Sequence, residues 1–217
     1  MIEPDVVLTD FALAAECALL ARLLWRAGPA AGTLRVPFVT FFASIGASAL
    51  AGGTVHGFFP EEAGGAHRLL WGATLLAIGV TAAAAWIAGA RMLFRAPTAG
   101  AIAWAAGLAL AAYAVRILSG AQAFRVAILF YLPAAFFLTV AHLVLFIRTR
   151  TPEIGMGLAG LALTFLAAFL QQARVALHPV YFTHNAVYHV LQGVALFLIF
   201  LGARRIVRED HRSATAG

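Results

Sequence analysis

Two histidines carry most of the chemistry this sequence offers: His56, near the end of one apolar segment, and His189, inside another. Neutral imidazoles from two helices at one depth are donors that zinc takes in tetrahedral sites, and a catalytic zinc keeps one position open for water. Such a metal lowers the pKa of its water to about 7 and polarises a carbonyl. His56 and His189 are the first two ligands in this reading. The third is open among His184, His67 and Asn185. His184 and His189 lie about 140° apart around a helix. Both bind only if His184 sits in an unwound stretch before its helix, with Thr183 as N-cap. Asn185 shares a face with His189, although an amide oxygen is an uncommon zinc ligand. His67 or Glu61 reaches the site by folding over from a loop. For hydrolysis, Glu61, Glu62 and Glu16 are the candidate general bases. Ser48 and Tyr188 are the candidates to steady an oxyanion.

The elements that position these residues are membrane helices. Of 217 residues, 63% are hydrophobic and 11% charged, whereas a soluble domain carries roughly 25% charged residues. This excludes a soluble enzyme and a disordered chain. Apolar runs between turn residues give seven spans: 8–26, 36–58, 68–94, 98–118, 122–147, 154–175 and 183–204. Each meets the need for about 20 apolar residues. The breaks fall at 27–35, at 60–65, and at Pro97, Gly120, Pro152 and Pro179. The acidic start, with Glu3 and Asp5, lacks the positive region of a cleaved signal peptide. The first helix is therefore expected to stay in the membrane.

All 15 basic residues are arginine. Eleven fall at one set of helix ends, and Arg68, Arg116, Arg125 and Arg174 at the other. Positive residues collect on the cytoplasmic side, so the N-terminus is expected outside and the C-terminus in the cytoplasm. The same arrangement accounts for the net charge of +6 without nucleic acid. With no lysine, a retinal Schiff base is excluded. The single cysteine, Cys17, has no partner for an internal disulfide.

Ionisable groups inside a membrane are costly, and their depth is informative. Ser44, Ser48, Gly52 and His56 form a stripe at steps of four. Asn185, Tyr188, His189 and Gln192 follow the i, i+3, i+4, i+7 pattern of one face. Gln171, Arg174 and His178 come from the sixth segment and its loop. Together they predict a polar cavity in the outer half of the bundle, with His142 near the inner face, apart from it. Plainer readings stay open: the serine stripe as a packing seam, the arginines as headgroup anchors, and Glu16 as a structural partner.

The arrangement resembles the CREST superfamily of seven-helix membrane proteins, which includes alkaline ceramidases, progestin and adipoQ receptors, and haemolysin-III-like proteins. His56 matches that family's histidine at the end of helix 2. In THNAVYHVLQG, His189 matches its second helix-7 histidine, and Val190-Leu191-Gln192-Gly193 resembles the ceramidase sequence. The resemblance implies a zinc site and, in several members, hydrolysis of lipid amides. Three positions depart: Gly52 stands for a serine, Asn185 for the first helix-7 histidine, and His67 near the expected acid. A rearranged metal site and a lost one both fit these departures.

The expectation is an all-α membrane protein: a single seven-transmembrane-helix bundle over residues 1–217, in a bacterial cytoplasmic membrane. Its function is either a zinc-dependent hydrolase of lipid amides or esters, or a non-catalytic sensor, ligand binder or partner subunit with a degenerate metal site. A haem between His56 and His189 ranks below zinc as cofactor. The partners expected are the lipid bilayer and a lipid or acyl substrate, with no nucleic acid.

Overall fold

A computed structural model describes residues 3–27, 33–61 and 64–215. Glu62 and most of the break at 27–35 lie outside the described residues. The chain forms seven helices: α1 (Pro4–Trp25), α2 (Arg35–Phe58), α3 (Gly65–Leu93), α4 (Ala96–Leu118), α5 (Phe124–Thr149), α6 (Pro152–Gln172) and α7 (His184–Thr215). Proline opens α1, α4 and α6 in their first turns, where its missing N–H leaves no bond unmade. Pro133 lies within α5 and removes one bond of its helical ladder.

Six helices, α2 to α7, are long and apolar enough to cross a membrane. Their outward residues include Trp104, Leu69 and Phe169, each more than two-thirds exposed. Apolar side chains at that density belong in lipid. The first helix is the exception. Asp5, Asp10, Glu16 and Arg22 spread charge along its whole length, although it is long enough to span. The last helix outruns its apolar segment, reaching Thr215 rather than 204. An i, i+4 ion pair between Arg205 and Glu209 (2.7 Å) supports the extension, and the Asp210 carboxylate accepts a bond from the Leu34 amide.

Packing between helices closes a ring in the order α1–α2–α3–α5–α6–α7 and back to α1, with α4 outside against α3. Tyr113 of α4 stacks on Phe130 of α5 (4.3 Å between centroids) and donates to the Leu75 carbonyl. The ring is solid at one end and hollow at the other. Phe38, Phe41, Phe42, Leu138, Leu161 and Ile199 fill the end where α2, α4 and α6 begin. His142 is fully buried there, edge-on to Phe38, with Nδ1 3.0 Å from the Leu138 carbonyl. The opposite end, where α1, α3, α5 and α7 begin, is the amino end and holds the cavity.

The tightest crossing joins α6 to α7. A Cβ on Gly160 would stand 2.5 Å from the Ala195 carbonyl, and one on Gly202 2.9 Å from the Gly157 Cα. Close approach through small residues is how membrane helices gain packing energy. Gly107 on α4 faces open space. Gly160→Val is therefore expected to cost at least about 1–3 kcal/mol through forced separation, while Gly107→Val leaves the detergent melting temperature near wild type.

Candidate functional site

The ring encloses a cavity of about 390 Å³ at the amino end, lined by every helix except α4. The value falls within the ~300–1,000 Å³ of small-molecule sites. Its lower wall is apolar, with Ile45, Ala49, Ile78 and Ala135. Polar groups enter from all six of these helices, Thr74 and Thr81 from α3 and Tyr131 from α5 among them.

From α7, Asn185, Tyr188, His189 and Gln192 all line the cavity, as one helical face must. From α2 come Ser48, Gly52 and His56, while Ser44 below them bonds Thr81 of α3 at 2.8 Å. The stripe thus splits into a packing contact and a cavity wall. From α6, Gln171 donates to Asn185 Oδ1 at 3.2 Å, tying the end of α6 to the start of α7.

The centre of the site is a residue the sequence reading passed over. Asp10 of α1 is buried, lines the cavity, and lies 3.4 Å from Nε2 of His189. Thr9 holds the other ring nitrogen: its Oγ1 is 3.1 Å from His189 Nδ1. The Thr9 hydroxyl also contacts the Asp5 and Val6 carbonyls at 2.8 and 3.0 Å. When its hydrogen stays on either carbonyl, Nδ1 of His189 donates to Thr9. His189 Nε2 then meets Asp10 across one shared proton. Gly52 faces this pair from α2; a Cβ there would stand 3.8 Å from Asp10 Oδ2.

His56 sits at the mouth, half-exposed, with Nδ1 3.1 Å from Glu3 Oε2. Trp71 meets it edge-on and donates through Nε1 to the Gln122 carbonyl at 2.9 Å. Phe124 packs on Trp71, so an aromatic group covers this rim.

Gln192 is buried and lines the cavity. Its Nε2 is 3.4 Å from Thr164 Oγ1, and that hydroxyl donates to the Gly160 carbonyl. The hydroxyl can only accept from Gln192, which fixes the amide nitrogen on that side. The Gln192 Oε1 accepts no hydrogen bond from the described residues.

Other candidates lie elsewhere. His67 is outside the cavity, with Nδ1 2.7 Å from the Phe59 carbonyl. His184 begins α7 as a regular helical residue and does not reach the cavity. Thr183 precedes α7, but its hydroxyl donates to Asp5 rather than capping the helix. Glu61 is exposed. His178 shapes the turn before α7, accepting from the Val180 and Tyr181 amides. Glu16 lines a groove on the outer surface between α1 and α7. Among the described residues, no three His, Cys, Asp or Glu side chains gather closely enough to hold a metal ion. His56 and His189 each face a carboxylate instead, so the arrangement does not fit the zinc centre that the resemblance implies.

Fold and site together define a helical membrane protein with a partly open cavity, polar toward its mouth. The chain belongs to a family of unknown function, DUF6962, whose profile matches residues 6–208. No curated protein and no solved structure matches it.

The mouth is fastened by Asp5, whose Oδ2 accepts from the Thr183 amide (2.8 Å) and hydroxyl (2.7 Å). Asp5 precedes the apolar part of α1. Its partial burial raises the carboxyl pKa, but the Thr183 donors outweigh this and hold it below the ordinary 3.8. The clasp's contribution is complete above the unfolded value and fades as pH falls through the lower folded one. Asp5→Ala removes two charge-assisted bonds, each about 1.5–3 kcal/mol before screening. Hydrogen exchange at the Thr183 amide is expected to accelerate at neutral pH, while exchange within α6 stays unchanged.

Proposed function

We propose that this protein is a membrane-embedded receptor for a small amphiphile carrying a hydrogen-bond-donating, cationic head. The carrying observation is the Asp10–His189 pair, with the unfilled acceptor of Gln192 behind it, on the polar wall of a mainly apolar cavity. An unpaired acceptor held away from water is costly. A ligand that brings donors to Asp10, and toward which the Gln192 amide turns, recovers that cost. No arginine or lysine lines the cavity, so its polar wall suits an amine better than a carboxylate. The apolar lower wall takes the chain.

In this reading α1 crosses the membrane as a seventh span, its apolar residues packed in the core and its polar ones paired at the amino end. The arginine asymmetry orients the amino end, and with it the cavity mouth, to the outside of a bacterial cytoplasmic membrane. The placement of His56 and His189 in one cavity supports distant kinship with the CREST superfamily. A zinc-dependent lipid hydrolase is the second reading, and it requires a third ligand to move toward those two histidines.

The test is equilibrium binding to protein in nanodiscs, read by fluorescence of Trp71. Dodecylamine is expected to bind saturably and more tightly than dodecanoate. Asp10→Asn and Gln192→Leu are each expected to weaken it about tenfold, or ~1.4 kcal/mol. Equal affinity for amine and acid, or no saturable binding, would refute the receptor. Metal analysis of the same protein decides the second reading: about one zinc per chain, lost in His56→Ala and His189→Ala, would favour the hydrolase.

A further inference from the structure

His189 borders two hollows. One is the interior cavity. The other is a groove of about 400 Å³ on the outer surface between α1 and α7, bordered by Leu13, Glu16, His189, Val194 and Phe197 among others. Leu13 and His189 line both. They are the partition between the interior and the surface that faces lipid.

Glu16 is the unusual member of this groove. It lies about 18 Å along α1 from Pro4, at ~1.5 Å per residue, well within a hydrocarbon core about 30 Å thick. Its Oε2 lies over Gly193, where a Cβ would come within 2.8 Å. It makes no hydrogen bond or ion pair among the described residues. A carboxyl at that depth, facing out, calls for a partner that carries donors. A parallel second copy offers no arginine or lysine there, because the chain has no lysine and the α1 and α7 arginines start at Arg22 and Arg204. Such a copy would set Glu16 against the same acid. Continuity with the cavity through Leu13 and His189 points instead to the molecule bound inside.

We propose that the α1–α7 groove is the membrane portal of the cavity: Glu16 receives the amine head of a single-chain amphiphile, which then passes Leu13 and His189 to reach Asp10. This rests on the receptor reading. It adds a second binding subsite and a lateral route from the bilayer. Glu16 and Asp10 are about 9 Å apart along the helix axis, so the head moves from one carboxylate to the other while its chain follows from lipid.

The experiment follows the rate of uptake. Protein with Trp71 as its single tryptophan is reconstituted in phosphatidylcholine vesicles and mixed with vesicles loaded with nitroxide-labelled dodecylamine. Trp71 quenching that excess unlabelled dodecylamine reverses reports arrival in the cavity. Val190 and Val194 are half-exposed on the groove side of α7, and Val115 lies far away on α4. Val190→Phe/Val194→Phe is expected to slow quenching at least about fivefold with the equilibrium level unchanged, since a blocked route alters rates in both directions. Glu16→Gln is expected to slow it likewise, and Val115→Phe to leave it unchanged. Unaltered rates in both groove variants would overturn the portal while leaving the receptor standing. Absence of reversible quenching in the parent protein would instead sink the receptor. A disulfide-linked dimer of an Ala12→Cys, Cys17→Ser protein in vesicles would place a second copy over the groove and also overturn the portal.

Discussion

The contact between Asp10 and His189 is the constraint on which the amino end depends. The first helix packs Leu13, Cys17, Leu20 and Leu24 into the core but carries acids and an arginine along its length. At its amino end its place between α2 and α7 is fixed by paired polar groups: Glu3 with His56, Asp5 with Thr183, and Thr9 and Asp10 with His189. The Asp10–His189 contact is the most deeply buried of these ion-pair contacts, with side chains 7% and 14% exposed. Removing one partner leaves the other desolvated and unpaired, which costs more than the pair gains when intact. Because α1 forms one wall of the cavity and one side of the outer groove, the cavity's shape follows from this pairing.

The two ends of the bundle solve different problems with one set of helices. At the carboxy end of α1 and α7, phenylalanines and leucines interlock, and the α6–α7 glycines let two backbones meet. Toward the amino end, α2 switches to Ser48, Ala49 and Gly52, whose side chains are too small to fill the centre. The hollow is kept open by polar groups whose partners fix them at its edge. Trp71 and Phe124 cover the rim, so the space is partly closed without being packed.

Much of this was legible in the sequence because lipid imposes a simple rule. Apolar runs mark helices, and polar groups inside them must face inward. Hence the seven helices, the inward face of Asn185, Tyr188, His189 and Gln192, and the stripe ending at His56 follow from spacing. The end of α7 was not legible, since a helix need not stop where its apolar run does. Asp10 stands only two residues into the 8–26 span, and its partner lies far along the chain. Glu16 looked deeper and more suggestive. Asp10 and Glu16 are six residues apart, about 240° around the helix, so when one faces the cavity the other faces outward. His67 and His184 are near the site in sequence but are committed to a carbonyl and to a helix start that point elsewhere.

The most direct test is a double-mutant cycle on the Asp10–His189 pair: Asp10→Asn, His189→Gln and the double variant, compared by reversible unfolding in one detergent. The account predicts a coupling of about 0.5–2 kcal/mol, with the double variant less destabilised than the sum of the singles. Additive losses, within roughly 0.3 kcal/mol, would mean that Asp10 and His189 act separately. Their pairing would then not be what places the amino end of the first helix.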